Sequence, residues 1–180
     1  VHLVKEQHLL WFFPKINRYL TMNGLQTERP VHILLADDDE DDRFLVQEAF
    51  RQQYPDSRMT LVEDGEQLLE FLERRQAYQN IPPDVPDLIL LDLNMPRVDG
   101  RHVLRQLKQN PSWRHIPVVV LTTSDAQPDV QTSYLDGANS FITKPANFQG
   151  LLNTAHILGQ YWFKVVTIPN RSDELHRRTG

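Results

Sequence analysis

The segment Leu88-Ile89-Leu90-Leu91-Asp92-Leu93-Asn94-Met95-Pro96, continued by Arg97-Val98-Asp99-Gly100, limits the fold most tightly. Four consecutive aliphatic residues run into one carboxylate, and Asn, Pro and Asp-Gly follow as turn formers. A short apolar run without alternation, closed by turn signals, reads as a strand buried on both faces, as in parallel sheets. Doubly wound sheets bind ligands in the crevice outside the carboxyl ends of such strands. Asp92 is therefore a candidate site residue; the alternative is that it only caps a strand or turn.

The same pattern repeats along the chain. Strands are expected at 31–36, 59–62, 88–91, 116–121 and 140–143. Apolar residues at helical spacing predict helices over 43–51, 66–78, 101–110, 128–136 and 148–163. Strand and helix alternate five times, which predicts an α/β sandwich around a parallel sheet with right-handed crossovers. The expected fold is a doubly wound, flavodoxin-like five-stranded sheet of order 2-1-3-4-5. A proline-rich connection, Asn80-Ile81-Pro82-Pro83-Asp84-Val85-Pro86, is the longest loop within the domain.

One domain is expected over 30–163. The chain begins at Val1 and its first methionine is Met22. Residues 1–29 therefore read as a flexible extension or a leader foreign to the domain, or else as a short amphipathic helix that packs on the domain or a partner. Residues 164–180 read as a tail that turns polar and basic. The absence of cysteine excludes disulfide and zinc–thiolate chemistry and fits a cytoplasmic protein. A formal net charge of -5 argues against a duplex-DNA partner. No apolar stretch approaches the about 20 residues needed to span a bilayer, and Gly-x-Gly-x-x-Gly is missing, which argues against a dinucleotide fold.

What ends each strand matters more than composition. The first strand runs into Asp37-Asp38-Asp39-Glu40-Asp41-Asp42, the third ends at Asp92, the fourth at Thr122-Thr123-Ser124 and the fifth at Lys144-Pro145. Asp37 and Asp38, next to the strand, are site candidates; Asp39 to Asp42 are expected to cap the next helix and face solvent. With strands one and three adjacent, Asp37, Asp38 and Asp92 converge. Carboxylates that close repel unless a cation or protons intervene. Mg²⁺, a hard cation with oxygen ligands, is the expected partner. Lys144 adds a compact positive charge and Thr122 a hydroxyl. Such a pocket suits a phosphoryl group transferred to a carboxylate, with Asp92 as the nucleophile.

At these residues the chain resembles the receiver domain of two-component response regulators. The features are the Asp37-Asp38 pair, Leu-Asp-Leu-Asn-Met-Pro-x-x-Asp-Gly around Asp92, Thr122 after an apolar strand, and Lys144-Pro145. The resemblance implies that Asp92 is the phosphoacceptor for a histidine kinase. It implies that Asp38 and Asp37 hold Mg²⁺ with Asp92 and the Asn94 backbone carbonyl, and that Thr122 and Lys144 respond to the phosphoryl group. The connection at 82–86, Leu121-Thr122-Thr123-Ser124 and Tyr161-Trp162-Phe163-Lys164-Val165-Val166-Thr167-Ile168-Pro169 resemble the small stand-alone regulators of phytochrome-type kinases. Many receivers carry Tyr at the switch position in strand five; here it is Phe141, which has no hydroxyl to donate.

With about 17 residues after the last helix, too few for an output domain, the expected output is a surface. Helix four, strand five and helix five, extended by Tyr161, Trp162 and Phe163, would form a homodimer or partner face; the alternative is that these aromatics close the domain's own core. Three other readings stay open: a scaffold that is never phosphorylated, a phosphorelay intermediate, and a haloacid-dehalogenase-type phosphatase. The last needs a second Asp two residues after the nucleophile, where this chain has Asn94, and a cap domain for which there is no room.

Overall fold

A computed structural model describes residues 30–79 and 85–168. Five parallel strands form one sheet in the order β2-β1-β3-β4-β5. They are β1 (His32–Ala36), β2 (Arg58–Val62), β3 (Leu88–Leu91), β4 (Val118–Thr122) and β5 (Ser140–Thr143). The helices are α1 (Glu40–Gln53), α2 (Gly65–Glu73), α3 (Gly100–Gln109), α4 (Gln127–Leu135) and α5 (Phe148–Gln160). The sheet order and alternation are those expected from the sequence.

The central strands β1, β3 and β4 are apolar apart from His32 at the start of β1 and Thr122 at the end of β4, because both of their faces are covered. Leu34, Ala36, Ile89, Leu91, Val118 and Val120 point to one side and pack with Leu68, Phe71, Val103, Leu104 and Leu107 of α2 and α3. Ile33, Leu35, Leu88, Leu90, Val119 and Leu121 point to the other and meet Val46, Phe50, Leu151, Ala155 and Leu158 of α1 and α5. Burial of this kind contributes about 25 cal/mol per Å² of apolar surface.

Several element ends differ from the sequence expectation, each for a local reason. α1 starts three residues earlier, at Glu40, because Asp39 is its cap and accepts a hydrogen bond from the Asp42 N–H. α2 stops at Glu73 rather than running to 78, because Arg74 turns left-handed with φ 58°. A separate 3-10 turn, Gln76–Tyr78, follows it. β4 begins at Val118, past Pro117, whose carbonyl accepts from the Ile89 N–H at 3.0 Å. It ends one residue later than expected, at Thr122. α5 ends at Gln160 and continues as a π-helical turn over Tyr161–Val165.

That turn divides the terminal aromatics between the two readings. Trp162 is buried and Phe163 packs against the α1–α5 core, closing the domain. Tyr161 is half exposed. The anticipated role of residues 1–29, the loop at 80–84 and the tail from 169 lies outside the described residues. Among the described residues, no helix is long and apolar enough to cross a membrane.

Tyr54, which ends α1, ties that helix to α5. Its hydroxyl donates to the His156 carbonyl at 2.9 Å, and its ring meets Phe163 edge-on at 5.4 Å. The ring lies where a side chain on Gly159 would stand. In an open helix, Gly→Ala gains about 1 kcal/mol. Here Gly159→Ala is expected to lower stability by about 1–3 kcal/mol through overpacking, measured by urea unfolding. An increase in stability would show that α1 and α5 are not locked by this contact.

Candidate functional site

Strand register builds the site. Ala36 of β1 pairs with Leu91 of β3, so the next residues, Asp37 and Asp92, leave the sheet side by side. Thr122 pairs with Thr143, which sets Lys144 one step beyond the end of β5. The backbone repeats the arrangement: Asp92 N–H donates to the Ala36 carbonyl at 2.9 Å, and Lys144 N–H to the Thr122 carbonyl at 2.7 Å. Gly100, which opens α3, lies so close to the Asp92 carbonyl that a side chain there would overlap it. The loop after β3 therefore folds tightly against the nucleophile candidate.

The side chains converge. Asp37, Asp38 and Asp92 each offer a carboxylate oxygen within 4.8 Å of the others. Lys144 Nζ lies 2.7 Å from Asp37 Oδ2 and 3.1 Å from Asp92 Oδ2. Asp37 Oδ1 accepts the Asp39 N–H at 3.1 Å, and Asp92 Oδ1 accepts the Asn94 N–H at 3.2 Å. Asp37 and Asp92 are buried while Asp38 is exposed at the mouth, so the pocket opens to water on one side.

This crowding is expressed in proton affinity. Burial pushes the Asp37 carboxyl up to about 6; Lys144 opposes the shift and the Asp92 charge adds to it. Burial alone would pull Lys144 down, but its interactions as donor with the Asp37 and Asp42 carboxylates, with the charges of Asp37 and Asp92, hold its ammonium above the ordinary lysine value. The pocket contains more negative than positive charge, and its donors are all carboxylate oxygens. That is a donor set for a hard divalent cation.

The other predicted residues occupy a wider ring. Thr122 is fully buried, and its hydroxyl accepts the Ser124 N–H at 3.4 Å. Asn94 is exposed, and its side-chain oxygen receives Arg101 at 3.4 Å. Phe141 is half-buried and packs against the α2–α3 core. Its N–H, on the free edge of the sheet, donates to the Tyr134 hydroxyl at 3.2 Å.

One expectation is corrected. Asp42 is not merely a capping or solvated acid: its Oδ2 lies 2.7 Å from Lys144 Nζ. Asp42 is the third residue of α1, and helical side chains lean toward the N-terminus, which carries its carboxylate back over the sheet end. Placing the helix cap at Asp39 in the sequence would have revealed this. Sequence reasoning also missed Arg43, whose guanidinium donates to the Asp37 carbonyl at 2.7 Å. A third omission is the bridge from Arg101 to Asp129 at 2.7 Å, with Ser124 donating to the same Asp129 at 2.6 Å. These contacts tie the start of α3 and the loop after β4 to the start of α4, and no local spacing announces them.

Comparison with known proteins places this geometry. Residues 33–156 match the response regulator receiver domain family. Response regulator Rcp1 of Synechocystis sp. is 40% identical over 144 residues, covering 80% of this chain and 97% of its own. The crystal structure of the phosphorylated cyanobacterial phytochrome response regulator RcpA is 37% identical with a TM-score of 0.73, covering 78% of this chain and 99% of that one. The Mn²⁺-bound form of Rcp1 is 41% identical with a TM-score of 0.71, covering 78% of this chain and 100% of that one. With its acids, Thr122 and Lys144 standing at the strand ends where the sequence motifs predict them, the chain belongs to the response regulator receiver domains of two-component systems.

Proposed function

We propose that this receiver is a phosphorylation switch in which Asp92 takes a phosphoryl group from a phosphohistidine of a sensor histidine kinase. The observation that carries the reading is the convergence of Asp92 with Asp37, Asp38 and Lys144 at one end of the sheet. A carboxylate oxygen of Asp92 attacks phosphorus; the P–O bond forms as the P–N bond breaks, and the freed imidazole takes up a proton. The Asn94 N–H orients Asp92 through Oδ1. Lys144 and Thr122 would receive the transferred oxygens, and Phe141 would repack as the face behind it changes.

The acids fit a divalent cation by number, hardness and mutual distance. Asp37, Asp38, Asp92 and the Asn94 carbonyl would hold Mg²⁺, which when bound neutralises charge on the phosphoryl oxygens. Likeness to regulators named for phytochrome supports a phytochrome-type kinase as the partner. The output is a surface. Tyr134 and Leu135 of α4, Ile157 of α5, and Tyr161 and Val165 of the π-helical turn are large apolar residues left exposed. Together with β5 they would form the face for a second copy or a target, with no reaction catalysed beyond the transfer to Asp92.

Intact-mass spectrometry after incubation with a small acyl phosphate tests the transfer. The expected result is a gain of one phosphoryl group that needs Mg²⁺ and is absent from Asp92→Asn; no gain under any condition would favour a scaffold. The phosphorylated sample should also show a higher mass by light scattering, and an unchanged mass would remove self-association from the proposal.

Asp37 makes the metal effect depend on pH. Its folded pKa, about 6, exceeds the ordinary 3.8, so the folded state holds the extra proton between those values. The stability that this proton provides is lost as pH rises through about 6. A cation competes for the same oxygens. Saturating Mg²⁺ should therefore stabilise the fold more at about pH 7.5, by up to about 3 kcal/mol, than at about pH 5, measured as a larger rise in melting temperature. Equal shifts at both pH values would remove Asp37 from the metal site.

A further inference from the structure

An ammonium group has three N–H donors. Lys144 Nζ donates to Asp42 Oδ2 at 2.7 Å and to Asp92 Oδ2 at 3.1 Å, and it also stands 2.7 Å from Asp37 Oδ2. A phosphoryl group on Asp92 that draws on Lys144 therefore competes with these carboxylates for its donors. The three are not equally releasable. The Asp37 and Asp92 side chains are 1% and 6% exposed, whereas that of Asp42 is 34% exposed. Asp37 and Asp92 also belong to the acidic cluster, and Asp42 does not.

Asp42 has somewhere to go. It stands in the first turn of α1, its N–H held by Asp39 Oδ1 at 3.0 Å. A carboxylate at a helix N-terminus is favoured by the helix dipole and, here, by water. Releasing it costs little, while releasing Asp37 would strand a buried charge.

We propose that Asp42 is a positioning residue that holds Lys144 in the unphosphorylated protein and yields it to the phosphoryl oxygens on Asp92. It competes with the phosphoryl group for one ammonium, so the strength of its ion pair sets how tightly the phosphorylated state is held. The inference rests on Asp92 being the phosphoacceptor. Its effect is local: Asp41, the exposed acid one residue before it, carries the same charge without facing Lys144.

Calorimetric titration of the full chain with beryllium trifluoride in Mg²⁺, a stand-in for the phosphoryl group, tests this. Asp42→Asn should bind about 3- to 10-fold more tightly than wild type. Asp42→Glu, which restores the carboxylate, should return toward the wild-type affinity. Asp41→Asn should change it less than about 2-fold, as expected of an exposed charge screened by water. Unchanged or weaker binding by Asp42→Asn overturns the inference, as does an equal gain from Asp41→Asn, which would mean a general field effect. A wild type that binds no beryllium trifluoride overturns the phosphoacceptor reading and this inference with it.

Discussion

The arrangement depends on one ammonium among carboxylates. Lys144, 7% exposed in its side chain, draws Asp37, Asp42 and Asp92 from three different elements onto a single point. Without it, buried acids at the ends of β1 and β3 would repel one another or take up protons. The sheet makes the contact possible because parallel register brings the ends of β1, β3, β4 and β5 to one edge. The two packed cores hold that register, and one residue of slip in β1 or β3 would point an acid into the apolar layer. The stability of the cores and the chemistry of the pocket are thus one constraint seen at two scales.

The α4 side is built differently. α4 buries only Ser133 along its length and has no side-chain cap at its N-terminus. What fixes it is polar: Arg101 to Asp129, Arg105 to Asp136 at 3.1 Å, and the Tyr134 hydroxyl on the edge of β5. Exposed ion pairs are individually weak. An element tied by such contacts can move at small energetic cost, whereas α1 and α5, packed through Tyr54, Gly159 and Phe163, cannot. The mobile part of a switch belongs on the first kind of element.

Much of this could be read from the chain. Continuous apolar runs ending in Asp37, Asp92, Thr122 and Lys144 identify parallel strands and the edge where their ends meet, because both faces of each strand must be covered. What the pattern hides is direction and competition. Asp42 lies in a run of six acids, and only the start of the helix at Glu40 decides which of them leans back to Lys144. Arg74 ends α2 by a left-handed turn that helix-forming residues around it do not announce. Trp162 and Tyr161 are adjacent, yet one is buried and the other exposed, because a π-helical turn sets their angles. The Arg101–Asp129 bridge spans 28 residues, beyond any local spacing.

The account turns on which carboxylate carries the phosphoryl group. Borohydride reduces an acyl phosphate to the alcohol, so a phosphorylated aspartate becomes homoserine and can be located by peptide sequencing in the mass spectrometer. The account predicts homoserine at position 92 alone, dependent on Mg²⁺ during phosphorylation. Homoserine at Asp37, Asp38 or another acid, or none after confirmed phosphoryl uptake, would contradict it.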